Sequence, residues 1–144
     1  MSVTIERATA SDAGALLGLM KDNGLTTEGL ADHVHTTMVA REGGRVVGSA
    51  GLEVYADGAL LRSVAVAADR RGIGLGHRLT TAALELAREQ KIDTLFLLTT
   101  TAEHYFPKLG FERIARADVP LSVQQSVEFR GACPASAVVM RRRL

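Results

Sequence analysis

The sequence has no tryptophan, one cysteine and three prolines, and aromatic residues fill 4% of its 144 positions. So few flat side chains argue against a surface that stacks nucleic-acid bases. Cys133 stands alone, which excludes an internal disulfide and fits a reducing, cytoplasmic compartment. No apolar run reaches the length a bilayer requires, and the N-terminus lacks a signal-peptide pattern. Excess charge is missing as well: 17 Lys and Arg face 16 Asp and Glu, for a net charge of +1. That balance gives no reason to expect a nucleic acid or a membrane as partner. There is no internal repeat and no low-complexity linker. What is present, 47% hydrophobic residues in 144, suffices for one domain over residues 1–144 with a proper core.

The chain is organised around residues 60–76. Leu60, Leu61, Val64 and Val66 begin this stretch as a strand, apolar and partly β-branched. A polar turn follows at Asp69, Arg70 and Arg71, then glycines at every second position, Gly72, Gly74 and Gly76. A helical pattern starts at once. Glycines at a strand-to-helix turn let the backbone approach a ligand closely, and the first helical turn adds unpaired N–H donors. Such a turn is a phosphate cradle, and Arg70 and Arg71 add charge to it. A Walker loop needs Gly-Lys-Ser/Thr, which is absent, and the last glycine spacing is wrong for a dinucleotide fingerprint.

The remaining pattern is mixed. Residues 2–8 alternate as an edge-type strand. Ser11 and Asp12 can cap a helix carrying Leu16, Leu17, Leu19 and Met20, which Asn23-Gly24 stops. Residues 26–34 read as a short second helix. Strands over 36–42, 45–55 and 60–66 are joined by hairpin signals at Gly43-Gly44 and Asp57-Gly58. A helix over 74–90 separates them from an apolar strand at 94–100, which is expected to run parallel to the strand before the helix. Short helices at 102–109 and 118–127 alternate with strands at 111–114 and 135–140, and a basic tail closes the chain. This order predicts a single mixed α/β domain, a largely antiparallel sheet with helices on both faces. Unpaired sheet edges make a homodimer conceivable.

Among charged residues, Glu53 and Arg62 fall inside apolar strands. A two-residue turn at Asp57-Gly58 puts them opposite each other, on one face. They form either a structural ion pair or a site: Arg62 gripping an acidic substrate group, Glu53 accepting or relaying an ammonium proton. In the second case the ion pair can also orient Arg62. Thr99, Thr100 and Thr101 end a strand and are either substrate contacts or plain strand-end residues. His33 and His35 are too few for a metal site, His77 reads as a helix-surface residue, and Cys133 reads as a small buried hydrophobe.

The stretch Val64-Ala65-Val66 followed by Arg71-Gly72-Ile73-Gly74-Leu75-Gly76 resembles the acetyl-CoA motif of the GCN5-related N-acetyltransferase (GNAT) superfamily. The resemblance implies a sheet splayed between its fourth and fifth strands and acetyl-CoA as co-substrate. It implies that Val64, Ala65 and Val66 hold the pantetheine arm, and that a strand distortion there frees a backbone N–H to polarise the thioester carbonyl, a catalytic part for Val64. Arg71, Gly72, Ile73, Gly74, Leu75 and Gly76 would cradle the pyrophosphate. Many relatives have a Tyr four residues before the closing Gly-Phe. Here that position is Phe106 and Tyr105 is its neighbour, a departure that leaves the general acid open.

Residues 61–66 and 97–106 also resemble N-acetylglutamate synthases. Residues 51–55, 60–66, 128–130 and 133–137 resemble arsenic-resistance N-acetyltransferases more closely still. Both resemblances imply a small amine or amino acid as acceptor, with Arg62 and Thr99 on the substrate and Glu53 in catalysis. The closer one implies acetylation of an organoarsenical. The alternatives are N-acetylglutamate synthesis and a non-catalytic acetyl-CoA-binding domain. No metal is called for.

Overall fold

The computed structural model describes residues 2–144. Seven strands form one sheet: β1 (Thr4–Arg7), β2 (Thr37–Glu42), β3 (Arg45–Tyr55), β4 (Gly58–Val66), β5 (Thr94–Thr99), β6 (Glu112–Ile114) and β7 (Val138–Arg143). Their order across the sheet is β1-β2-β3-β4-β5-β7-β6. Every pairing is antiparallel except β4 with β5, which is parallel as a strand–helix–strand crossover requires. Helix α1 spans Ala13–Asp22, α2 Leu75–Glu89 and α3 Leu121–Gln124.

The central strands β4 and β5 are apolar on both sides, so the sheet carries two cores. Ala59, Leu61, Leu95 and Leu97 point toward the larger core, with Leu16 and Met20 of α1 and Leu79, Ala83 and Leu86 of α2. The alternate residues Leu60 and Phe96 face the smaller one, with Val119, Val123 and Val139. A strand run with no polar alternation is the signature of this double burial. The mixed α/β class and the helices on both faces are as the pattern predicts. No helix among the described residues is long and apolar enough to cross a membrane.

Several boundaries differ from the sequence pattern. The helix expected over 26–34 is a 3-10 turn, Leu30–Thr36, entered through Gly29 at φ +77°. The helix expected over 102–109 shrinks to a 3-10 turn, Phe106–Leu109. Residues 118–127 contain only the single turn of α3, followed by a wide turn, Glu128–Ala132, broken by Gly131 at φ +126°. The basic tail is not a tail. Arg141, Arg142 and Arg143 belong to β7, where Arg141 Nη2 lies 2.7 Å from Glu112 and Arg142 donates to the Leu109 carbonyl at 2.6 Å. Long aliphatic stems let these arginines cover apolar surface while their heads find partners.

One register difference reaches the site. The β3–β4 turn is Ala56-Asp57, not Asp57-Gly58, so Tyr55 pairs with Gly58 and Glu53 with Leu60. Gly58 is needed for another reason: a Cβ there would meet the Thr94 carbonyl at 2.9 Å and the Phe96 ring at 3.0 Å. The glycine lets β4 start close against β5. Arg62 therefore stands opposite Gly51, diagonal to Glu53. The shift is even, so both side chains keep the same face.

Candidate functional site

The ladder between β4 and β5 ends early. Only Ala59 and Leu60 pair with Leu95 and Phe96, after which the strands diverge. β5 goes on pairing with β7 as far as Thr99. The opening is a cleft of about 700 Å³, walled by residues from Leu61 through Val66 on one side and from Leu97 through Ala102 on the other. This is the splay the resemblance implies.

The glycine turn closes one end. Gly72 and Gly74 have φ of +82° and +83°, a region open to glycine and costly to other residues. Nothing lies within 4 Å of a Cβ placed at either, so the turn is an open cradle. Gly74 caps α2, whose first-turn amides at Leu75, Gly76 and His77 lack helical carbonyl partners. Arg71 is tethered beside them: Nη2 donates to Asn23 at the end of α1 at 2.6 Å, and Nε to the Val66 carbonyl at 3.3 Å. Ile73 is 61% exposed at the lip. Arg70 does not share in the cradle as its position suggests. Its guanidinium is taken by Glu42, with Nε at 3.0 Å. Open glycine backbone, free helix-start amides and one arginine fit a pyrophosphate.

The strand distortion lies one residue before the stretch assigned to it. Ser63 has φ +57°, and the β3–β4 register shifts between Ser49 and Gly51. Ser49 Oγ donates to the Ser63 carbonyl at 2.7 Å and holds the bulge. Neither Ser63 nor Val64 has a β3 partner, and past Leu60 the β4 strand has none on β5. Val64, Ala65 and Val66 all line the cleft, with Val64 released from the ladder. A bulge is set by three-dimensional pairing, and Ser63 carries no sequence sign of a left-handed conformation.

The floor of the cleft is ionic. Arg62 is 3% exposed, and its Nη1 lies 2.6 Å from Glu53 Oε1. Its other donors are loosely held: Nη2 to the Thr26 carbonyl at 3.4 Å and Nε to Ser63 Oγ at 3.3 Å. Glu53, 1% exposed, lies behind Arg62 and also accepts from His33 Nε2 at 3.2 Å and from the Tyr55 hydroxyl. Burial pushes the Glu53 carboxyl up, but the hydrogen bonds from His33, Tyr55 and Arg62 outweigh it and hold the group at about 2.

On the other side of Arg62, Glu128 Oε2 lies 3.6 Å from Nε. Glu128 and Cys133 line the cleft. Burial raises Glu128 to about 7 against the pull of Arg62, and burial together with Glu128 raises the Cys133 thiol to about 11. His33, Tyr55 and Glu128 were not legible as site residues. Tyr55 and Glu128 left a trace only as members of stretches 51–55 and 128–130, on which the arsenic-resistance resemblance rests.

Thr99 and Tyr105 complete the wall. Thr99 is 8% exposed, and its hydroxyl accepts the Ala102 N–H at 2.9 Å, fixing the turn after β5. Thr99 thus lines the cleft while holding its rim. Tyr105 reaches α2, where its hydroxyl would lie 3.3 Å from a Cβ at Gly76. Phe106 is buried against Phe111, with ring centroids 5.8 Å apart. His77 is exposed on α2, as its pattern suggests.

Comparison with known proteins agrees with this geometry. The chain is 31% identical over 138 residues to an amino-acid acetyltransferase of Pasteurella multocida, covering 90% of this chain and 31% of that protein. An amino-acid acetyltransferase of Mycobacterium tuberculosis is 35% identical over 81 residues, 56% of this chain and 46% of that one. The chain thus spans from about a third to about half of these relatives' length. Rv2747 of Mycobacterium tuberculosis, solved in complex with CoA, superposes with a TM-score of 0.83 at 25% identity, covering 98% of this chain and 99% of that one. N-acetylglutamate synthase from Neisseria gonorrhoeae, solved with coenzyme A and N-acetyl-glutamate, shares the fold with a TM-score of 0.84 at 24% identity, over 100% of this chain and 35% of that one. Residues 33–113 match the family described as Acetyltransferase (GNAT) domain, and the chain belongs to that family of acetyl-CoA-dependent N-acetyltransferases.

Proposed function

We propose that the protein acetylates the α-amine of a small amino acid that also carries an acidic group. The observation that carries this reading is Arg62. It is a buried cation on the cleft floor, aimed by Glu53 and with its Nη2 edge loosely bound. A guanidinium so placed suits a carboxylate, which it can grip by two parallel hydrogen bonds. Glu53, held by three donors and closed off from the cleft, orients Arg62. Acetyl-CoA supplies the thioester. The glycine turn and Arg71 would hold its pyrophosphate, and Val64, Ala65 and Val66 would hold its arm. Thr99 would border the acceptor. The names of the relatives, amino-acid acetyltransferases, support an amino-acid acceptor.

A narrower reading makes the acceptor an organoarsenical that mimics glutamate. What supports it is convergence. Residues 51–55, 60–66, 128–130 and 133–137, on which the arsenic-resistance resemblance rests, meet in one cluster of Glu53, Tyr55, Arg62, Glu128 and Cys133. Acetylation removes the ammonium charge by which such a mimic is recognised.

Thiol release from acetyl-CoA, measured against a panel of amino acids, simple amines and the arsenical, tests both readings. Turnover with acidic amino acids and little with simple amines is expected. Preference for simple amines would overturn the amino-acid reading. Turnover of glutamate with none of the arsenical would remove the narrower one.

A further inference from the structure

Two carboxylates approach Arg62, and they differ in what they can still do. Glu53 is enclosed behind the arginine and accepts from His33, Tyr55 and Arg62. Glu128 is on the open side. It lines the cleft and comes from the wide turn Glu128–Ala132, and its contact with Arg62 is long, 3.6 Å to Nε. A carboxylate that must take a proton needs free lone pairs and access to the substrate. Glu128, with the Cys133 thiol and the long Arg62 contact on it, keeps free lone pairs and borders the cleft; Glu53, with three donors on it, keeps at most one and does not border the cleft.

We infer that Glu128 is the proton acceptor for the acceptor amine, with Arg62 standing between it and the orienting carboxylate Glu53. This rests on the reading of the chain as an amine acetyltransferase. The ammonium gives one proton to the Glu128 carboxylate and becomes a neutral amine. Its lone pair forms the C–N bond at the thioester carbonyl carbon, and the C–S bond breaks. The second nitrogen proton is lost as the amide forms and neutralises the departing thiolate. Glu128 returns its proton to water through the open cleft, so each turnover releases one amide, one thiol and one proton.

The surroundings favour this division. Glu128 faces Arg62 of β4, Glu53 and Tyr55 of β3, and Cys133 at the end of its own turn; Arg116 lies near Cys133, and α3 brings no charged side chain. Burial and the Glu53 charge raise Glu128 while Arg62 lowers it, leaving it at about 7. A base balanced there is ionised enough to work near neutrality and basic enough to take the proton.

The test is the pH dependence of turnover in Glu128→Gln and Glu53→Gln, with acetyl-CoA affinity measured by calorimetry as the check on folding. With wild type, kcat should rise tenfold per pH unit below about 7 and then level. Glu128→Gln should lose about a hundredfold in kcat at pH 7. It should also lose that limb, recovering only toward the amine's own pKa, with acetyl-CoA affinity kept. Glu53→Gln should keep the limb. If Glu128→Gln retains the limb, or Glu53→Gln abolishes it, the inference fails. Any amine that turns over serves, so preference for simple amines would cost the amino-acid reading and leave this test standing. If no amine turns over, the inference falls together with the acetyltransferase reading on which it rests.

Discussion

Glu53 Oε1 and Arg62 Nη1 lie 2.6 Å apart although the two residues are not cross-strand partners. Glu53 faces Leu60, and Arg62 reaches back along the diagonal. The pair is buried, so each charge depends on the other. Removing Arg62 leaves an uncompensated carboxylate, a loss on the order of 3–5 kcal/mol. Arg62→Lys keeps a charge but not the fork. It should raise KM for the amino acid at least tenfold while sparing acetyl-CoA affinity, as read from steady-state kinetics and calorimetry. Unchanged KM would remove Arg62 from the acceptor site.

Gly74 should tolerate neither a large side chain nor an ordinary backbone. Its φ of +83° costs most residues roughly 1–2 kcal/mol, and asparagine less. Gly74→Asn should therefore fold with a near wild-type melting temperature yet lose acetyl-CoA binding, because its side chain enters the open cradle. Gly74→Val should lose binding and some stability. Calorimetry showing wild-type affinity in Gly74→Asn would reassign the turn.

Gly76 and Tyr105 form a packing pair across the cleft. A Cβ at position 76 would stand 3.3 Å from the Tyr105 hydroxyl, tighter than an easy contact. Gly76→Ala should destabilise by about 1 kcal/mol despite the better helix propensity of alanine. Adding Tyr105→Phe removes the crowding oxygen. Thermal unfolding of the double variant should recover most of the loss, giving a coupling above about 0.5 kcal/mol. Simple additivity would mean that the tyrosine moves aside.

Asp12 supplies a pH-dependent anchor far from the chemistry. Arg41 binds its carboxylate by two hydrogen bonds, at 2.8 and 2.6 Å, and the Thr9 N–H adds another at 2.8 Å. The Arg41 bonds come first in lowering the group from 3.8 to about 2. A depressed carboxyl stabilises the fold above its unfolded value. That stability is lost as pH falls from about 4 through about 2. Asp12→Asn should cost about 2 kcal/mol at pH 7. Denaturant titrations should show the gap closing as pH falls through that window. A gap that persists at pH 2 would assign the effect to shape rather than charge.

Local pattern by itself determined much of this protein. The first five strands, the Gly43-Gly44 hairpin and the 74–90 helix follow from periods and turn residues, and each appears within a residue or two, whereas the last strand lies three residues beyond its expected place. The glycine turn was legible because φ near +80° leaves a mark in composition. Glu53 and Arg62 were legible as charges among apolar residues, and their shared face survived the register error because the slip was even. Only the tertiary structure decided the rest. Whether Gly58 makes a turn or a close strand contact depends on Thr94 and Phe96, 36 and 38 residues away. The Ser63 bulge arises from pairing across β3, and nothing in a serine announces it. Glu128 comes from an irregular turn with no period, and its separation of 66 residues from Arg62 in sequence vanishes only on folding. Sequence fixes what depends on neighbours along the chain; burial and charge pairing depend on neighbours in space.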